Sequence, residues 1–306
     1  MSKKKIENKN KVSLKNLIKY RPFVGIASFF IFNSYLPGFI KGIYQGSSKQ
    51  YCAPFINCHS CPSATFACPA GLIQHYFTYN HLFKVWILPK FVIGFLILIT
   101  LGVGKLVCGW ICPFGTIQTL LYRLKSIKFS IPQNKIHFVK YFIFLLMIIY
   151  LPILLGEPWF CKLCPVGSLE AGIPLVSFGN ASSELRLLAL SLFNIKLSIL
   201  LVIILSSIFV KRPFCRFICP IGTIFTLFNK FSLLKIKVDD ANCIHCGKCS
   251  KLCPIENEAP IAARSIDCYL CGECVRGCPT SCVSFNFKPM SLFNIKQITS
   301  DKKNKA

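Results

Sequence analysis

Three features of the sequence predict its fold class. Four apolar runs, a cysteine frame that recurs after the second and fourth of them, and a dense cysteine block beyond residue 240 point to two joined domains. The first is membrane all-α, with four transmembrane helices in two repeated helix pairs, and the second is a small C-terminal α+β domain. The 306 residues include 53% hydrophobic and only 15% charged ones, and their mean hydropathy is +0.54, too apolar for a soluble domain of this length. The runs fall at about residues 22–40, 85–104, 138–155 and 187–210, each near the ~20 residues that a spanning helix needs. Pro37, Pro89, Gly94 and Pro152 within them would break soluble helices and are tolerated in membrane bundles.

A net charge of +25 does not mark a nucleic-acid binder, because the bases crowd at the ends of the apolar runs. Residues 1–21 carry eight bases and one acid, residues 105–137 five bases and no acid, and residues 211–237 six bases and no acid. Such segments stay on the cytoplasmic side, while residues 41–84 and the more acidic 157–194 face outward. The expected layout is a basic cytoplasmic tail at 1–21 with no removable signal peptide, a four-helix transmembrane domain at 22–237, the α+β domain at 238–287 and a basic tail at 288–306. The chain is thus expected to be multi-pass in the cell (inner) membrane, with both termini cytoplasmic.

The internal repeat supports the helix pairs. Residues 103–120 read VGKLVCGWICPFGTIQTL and residues 210–227 read VKRPFCRFICPIGTIFTL, so the frame CxxICPxGTIxTL occurs twice. Cys108 with Cys112, and Cys215 with Cys219, are i, i+4 pairs on one helix face or across one turn. If the halves pack about a pseudo-twofold axis, four thiolates converge in an inner centre; otherwise they are packing residues or redox thiols. The outward loops echo one another in Cys68-Pro69-Ala70-Gly71 and Cys164-Pro165-Val166-Gly167. Cys58, Cys61, Cys68, Cys161 and Cys164 are candidates for an outer metal or cluster centre, with disulfides or a redox dithiol as the competing reading and Cys52 nearby. His59, His75 and His81 could ligate a metal or help a quinone exchange protons, or simply be solvated, and the same holds for Glu157 and Glu170.

The C-terminal cysteines are more specific. Cys243, Cys246, Cys249 and Cys253 before Pro254 form CxxCxxCxxxCP, and Cys268, Cys271, Cys274 and Cys278 before Pro279 repeat it. This is the bacterial two-cluster run, in which the fourth cysteine of each run ligates the other cluster. One cube would take Cys243, Cys246, Cys249 and Cys278, and the other Cys268, Cys271, Cys274 and Cys253. Four thiolates also suit zinc, but the doubled run favours two 4Fe-4S clusters. Cys282 reads as a small buried hydrophobe. One or two further iron–sulfur or metal centres are expected in the membrane domain.

Combined, the CxxxCP motifs at Cys108 and Cys215 and the two cluster runs resemble those of the NapH, MauN and NosR group of membrane ferredoxin-type proteins. The resemblance covers about residues 22–282. It implies an integral-membrane electron-transfer component working between a cytoplasmic or quinone pool and a membrane or extracytoplasmic redox partner. Its partners would be lipid and redox proteins, with no nucleic acid. The CcoG-like proteins share both motif types, which implies a copper or quinone reductase as the alternative. The cysteines at 58–68 and 161–164 depart from the simplest NapH-like pattern.

Overall fold

Prolines and helix-stopping residues decide where this chain turns. The computed structural model describes residues 16–79, 87–124, 126–129, 131, 137–177, 192–255 and 265–287. Most of the two basic tails, His81 and Glu184 lie outside the described residues.

Among the described residues one helix, Phe138–Leu155, is long and apolar enough to cross a membrane, in place of the four transmembrane helices expected. The other apolar runs stop early. Arg21–Phe32 has 12 residues, and Ile87–Val103 and Phe193–Phe209 have 17 each. At ~1.5 Å per residue their described parts rise ~18 Å and ~26 Å, against a ~30 Å hydrocarbon core. The first ends where the Asn33 side chain bonds the Phe29 carbonyl and the Asn57 carboxamide. The second ends at Gly104, which takes φ +60°, and the fourth run at Val210, which is extended. Hydropathy summed over a window passes through such stops, so the four-span fold class does not hold among the described residues.

The long helix is not regular. An α segment His137–Phe144 leads through a π segment, Leu145–Tyr150, into Leu151–Leu155. Pro152 lacks the N–H that would bond back into the preceding turn, and the widened turn accommodates it. The helix turns apolar side chains outward, with Phe138 81% and Phe142 66% exposed.

Two cores organise the chain. The larger gathers Leu96, Phe114, Ile148, Phe214, Ile221 and Phe225 from the helical part. The smaller holds Ile236, Val238, Leu270, Val275 and Val283 beneath a two-stranded sheet, with Ile18 packed in from the N-terminal side. Strand β1 (Leu234–Val238) runs antiparallel to β2 (Val283–Phe287), placing Val238 opposite Val283. Strand β1 alternates in burial, as a sheet with one covered face requires, whereas β2 grades from buried Val283 to exposed Phe287. Between them lie two short helices, Lys248–Leu252 and Glu273–Gly277, each directly after a left-handed glycine, Gly247 (φ +68°) and Gly272 (φ +77°).

Candidate iron–sulfur sites

Proline fixes the backbone around the first cysteine group. Cys112 and Cys219 each precede a proline that opens a helix, Pro113–Leu121 and Pro220–Asn229. Proline suits a first helical turn, where its missing N–H would have no intrahelical partner anyway. Both cysteines are extended, at φ −63°, ψ 114° and φ −62°, ψ 116°, and stand at the positive end of their helices. The Gly222 N–H donates to Cys219 Sγ at 3.4 Å, and the Gly115 amide acts in the same sense on Cys112. Such donors favour a thiolate. A Cβ at Gly115 or Gly222 would lie 3.2 Å from the carbonyl oxygen of Cys108 or Cys215 respectively, so the two frames share a close approach as well as a sequence.

Cys108, Cys112, Cys215 and Cys219 are near enough that charge on one acts on the others. Burial pushes the Cys108 thiol up to about 12 and also pushes Cys112 and Cys219 up. Without a metal these thiols stay protonated, and they ionise where a metal takes the proton's place. Gln118 Nε2 donates to Cys215 Sγ at 3.1 Å while its Oε1 accepts from the Phe214 N–H at 3.2 Å, so one half of the repeat holds a sulfur of the other.

The C-terminal cysteines line two cavities. One has Cys253 with Cys268, Cys271 and Cys274 in its wall; the other has Cys278 with Cys243, Cys246 and Cys249. Each run's fourth cysteine therefore stands with the other run's first three, although Cys249 reaches both cavities. Cys282 is buried, but its sulfur also lies 3.3 Å from Cys278 Sγ at the edge of the second cavity.

The 268–274 loop sits directly on the inner group. Tyr269 and Cys271 share a small core with Cys108, Cys215 and Cys253. The Tyr269 hydroxyl donates to the Cys215 carbonyl at 3.1 Å, and Trp110 Nε1 donates to the Leu270 carbonyl at 3.0 Å. Buried charges clamp the joint. Lys105, 3.5 Å away, and Lys140, closer still, both meet Asp267; Arg21 meets Glu273 at 3.4 Å and donates to the Cys271 carbonyl at 3.2 Å. Arg212 Nη1 donates to the Cys108 carbonyl at 2.8 Å, and the guanidinium lies over the Tyr269 ring.

Sequence reasoning missed these residues because it took Arg21, Lys105 and Arg212 as topological anchors; they are only 3%, 2% and 2% exposed. A signal was present. Lys105 and Arg212 occupy the same place in the repeat, three residues before Cys108 and Cys215.

In the second cysteine group, Cys58, Cys68, Cys161 and Cys164 face one cavity of about 550 Å³, while Cys61 is absent from its wall. Glu170 Oε2 accepts the Cys58 N–H at 2.7 Å, and burial raises its carboxyl to about 8. His59 and His75 meet edge to face at 5.4 Å, and burial holds the His59 imidazole down at about 4. Glu157 pairs with Lys162 on the surface, at 2.6 Å. Among the described residues no three His, Cys, Asp or Glu side chains are gathered tightly enough for a single ion. A cube that takes one thiolate at each of its iron corners has more widely spread ligands, which is the fit these groups offer.

Cysteines grouped on loops and helix N-termini, beside a two-stranded α+β unit, define a 4Fe-4S protein. A sequence family described as a 4Fe-4S binding domain matches residues 85–132, 138–173 and 196–239, the segments that hold Cys108, Cys112, Cys161, Cys164, Cys215 and Cys219. An uncharacterized protein of Methanocaldococcus jannaschii is 28% identical over 170 residues, 53% of this chain and 63% of its own. The putative electron transport protein YccM of Escherichia coli is 28% identical over 167 residues, 52% of this chain and 43% of its own. The methylamine utilization ferredoxin-type protein MauN of Methylobacillus flagellatus is 22% identical over 153 residues, 49% of this chain and 48% of its own. The chain spans about half the length of the curated relatives it matches. No solved structure matches it. The chain is thus similar to ferredoxin-type 4Fe-4S proteins of the NapH, MauN and NosR kind.

Proposed function

We propose that this chain is a membrane-associated iron–sulfur protein that passes single electrons between a cytoplasmic or quinone pool and a membrane or extracytoplasmic redox partner. One observation carries the reading: the 268–274 loop and the Cys108 and Cys215 turns form a continuous packed joint, with Tyr269 filling it. Bound 4Fe-4S clusters would supply one-electron chemistry at potentials set by burial, charge and hydrogen bonds to sulfur. Cys243, Cys246, Cys249 and Cys278 would hold one cluster, Cys253, Cys268, Cys271 and Cys274 a second, and Cys108, Cys112, Cys215 and Cys219 a third.

The charge balance supports an anionic third centre. Lys105 and Arg212 are buried close enough to act on its cysteines, Lys140 and Arg21 are buried at the adjoining joint, and the acidic partners there are Asp267 and Glu273. Excess buried positive charge is costly unless anions offset it, and four thiolates around a cube would do so. The same charges would ease the arrival of an electron. Attachment to lipid is supported by Phe138–Leu155, whose large apolar side chains at Phe138, Phe142 and Leu154 point outward. The thiols of the C-terminal runs would then lie on the reducing, cytoplasmic side.

The test is electron flow through the joint. Full chain isolated anaerobically in detergent is reduced with dithionite and mixed with a quinone analogue, beside a Cys108→Ser, Cys215→Ser double variant. The reading expects both proteins to take up electrons at the C-terminal clusters and the variant to lose them to the quinone much more slowly. Equal reoxidation rates would take the inner cysteines off the route.

A further inference from the structure

The Cys-Pro-x-Gly cap that shapes the inner group occurs four times in this chain, and the other two copies, at Cys68 and Cys164, meet at a second cavity. Cys164 precedes Pro165 with φ −66°, ψ 122°, within a few degrees of Cys112 and Cys219. Cys68 precedes Pro69, which opens the helix Pro69–Tyr79, and the amides of Gly71 and Gly167 act on Cys68 and Cys164 as those of Gly115 and Gly222 do on the inner pair. The glycine again permits a close approach. A Cβ at Gly167 would stand 3.6 Å from Cys58 Sγ, which brings the Cys58 segment against the Cys164 cap.

We infer that Cys58, Cys68, Cys161 and Cys164 form a further 4Fe-4S binding site, the outer counterpart of the inner group. The four side chains share the wall of one cavity of about 550 Å³, ample room for a cube. Buried side chains hold two of the cysteines by their backbones: Glu170 accepts the Cys58 N–H at 2.7 Å, and Gln74 Oε1 accepts the Cys161 N–H at 3.0 Å. Gln74 is 0% exposed and is itself fixed through Nε2 to the Met147 carbonyl at 3.0 Å. Outer partners that orient ligands in this way are a regular part of metal sites.

The geometry also separates ligands from bystanders, which cysteine spacing alone could not. Cys61 lies with Ala64 and Ala171 in a small core that Cys58 packs against, but its sulfur is turned to Ser63 Oγ at 3.3 Å, and Cys52 stands in an isolated strand-like bridge with Ala67. Neither lines the cavity. Filling the site replaces four thiol protons by four iron–sulfur bonds, and the bound cube would then exchange one electron with the inner centre. That last role rests on the route proposed above, whereas the ligand set does not.

The test is iron and acid-labile sulfide per full-length chain after anaerobic isolation, with EPR of the dithionite-reduced protein. Four proteins are compared: wild type, Cys58→Ser with Cys161→Ser, Cys61→Ser, and Cys108→Ser with Cys215→Ser. At four irons per cube, the expected contents are about 16, 12, 16 and 12. The signals of the C-terminal cubes serve as the folding control in every variant. Unchanged iron in the Cys58, Cys161 variant, zinc or a disulfide in place of iron there, or loss of iron in Cys61→Ser would overturn this assignment. Iron that is unchanged only in the Cys108, Cys215 variant would instead overturn the inner centre and leave the outer one standing.

Discussion

Gln118 and Phe225 occupy the same position in the two copies of the repeat, yet only Gln118 gives a sulfur a hydrogen-bond donor. Donors to cluster sulfurs stabilise the reduced, more negative state and raise the potential. Gln118→Leu is therefore expected to make the inner centre's midpoint more negative at unchanged iron content, read by an EPR-monitored redox titration; an unmoved midpoint would show that this contact does not tune it. His59 makes a pH prediction. Its folded-state imidazole titrates at about 4 against an ordinary 6.5 because it is buried, so on acidification the unfolded chain takes up the proton first. Stability contributed by the neutral ring is thus present above pH ~6.5 and is lost as pH falls toward ~4. His59→Gln should lose less resistance to proteolysis than wild type between pH 6.5 and 5, and identical profiles would contradict this. Individual roles of this kind were only partly legible. The eight C-terminal cysteines stand out by spacing and line two cavities in the fold, while Gln118, Gln74 and Tyr269 are ordinary residues until the chain is folded around them.

At the scale of elements, the joint between the C-terminal unit and the helices depends on one carboxylate serving two buried lysines. Breaking a buried ion pair on one side leaves a charge stranded and costs about 3–5 kcal/mol. Asp267→Asn should accordingly destabilise the docked arrangement by an amount of that order, seen as a lowered denaturation midpoint and faster loss of iron to a chelator; unchanged values would show the pair to be dispensable. Gly109 makes a steric prediction. A Cβ there would run into the Tyr269 carbonyl, a backbone atom with nowhere to go, so Gly109→Ala should loosen the joint while Gly94→Ala, in open space, should not. Hydrogen exchange at Leu270 and Cys271 would distinguish them. The repeat itself could be read from residues 103–120 and 210–227, and the local geometry of the two copies agrees closely. Helix length could not, because Asn33, Gly104 and Val210 end helices inside or just at the edge of runs whose average hydropathy stays high.

For the molecule as a whole, the sequence pointed to an iron–sulfur electron carrier, and the family comparison agrees with that class. Its span count was over-read, and several of the loop charges used to assign sides of a membrane, Arg21, Lys105 and Arg212, are buried at an internal joint. Lys105 and Arg212 satisfy a rule about cytoplasmic loops and, at the same time, a need for cations beside clustered thiolates. The central claim is that the repeated CxxxCP cysteines bind a cluster next to the C-terminal pair. It is tested most directly by EPR of the reduced, anaerobically isolated chain together with its iron content, before and after Cys108→Ser and Cys215→Ser. The account predicts that the double variant loses about four irons and the magnetic broadening from one neighbouring cluster, while the C-terminal signals remain. An unchanged iron content with an unchanged spectrum would contradict it.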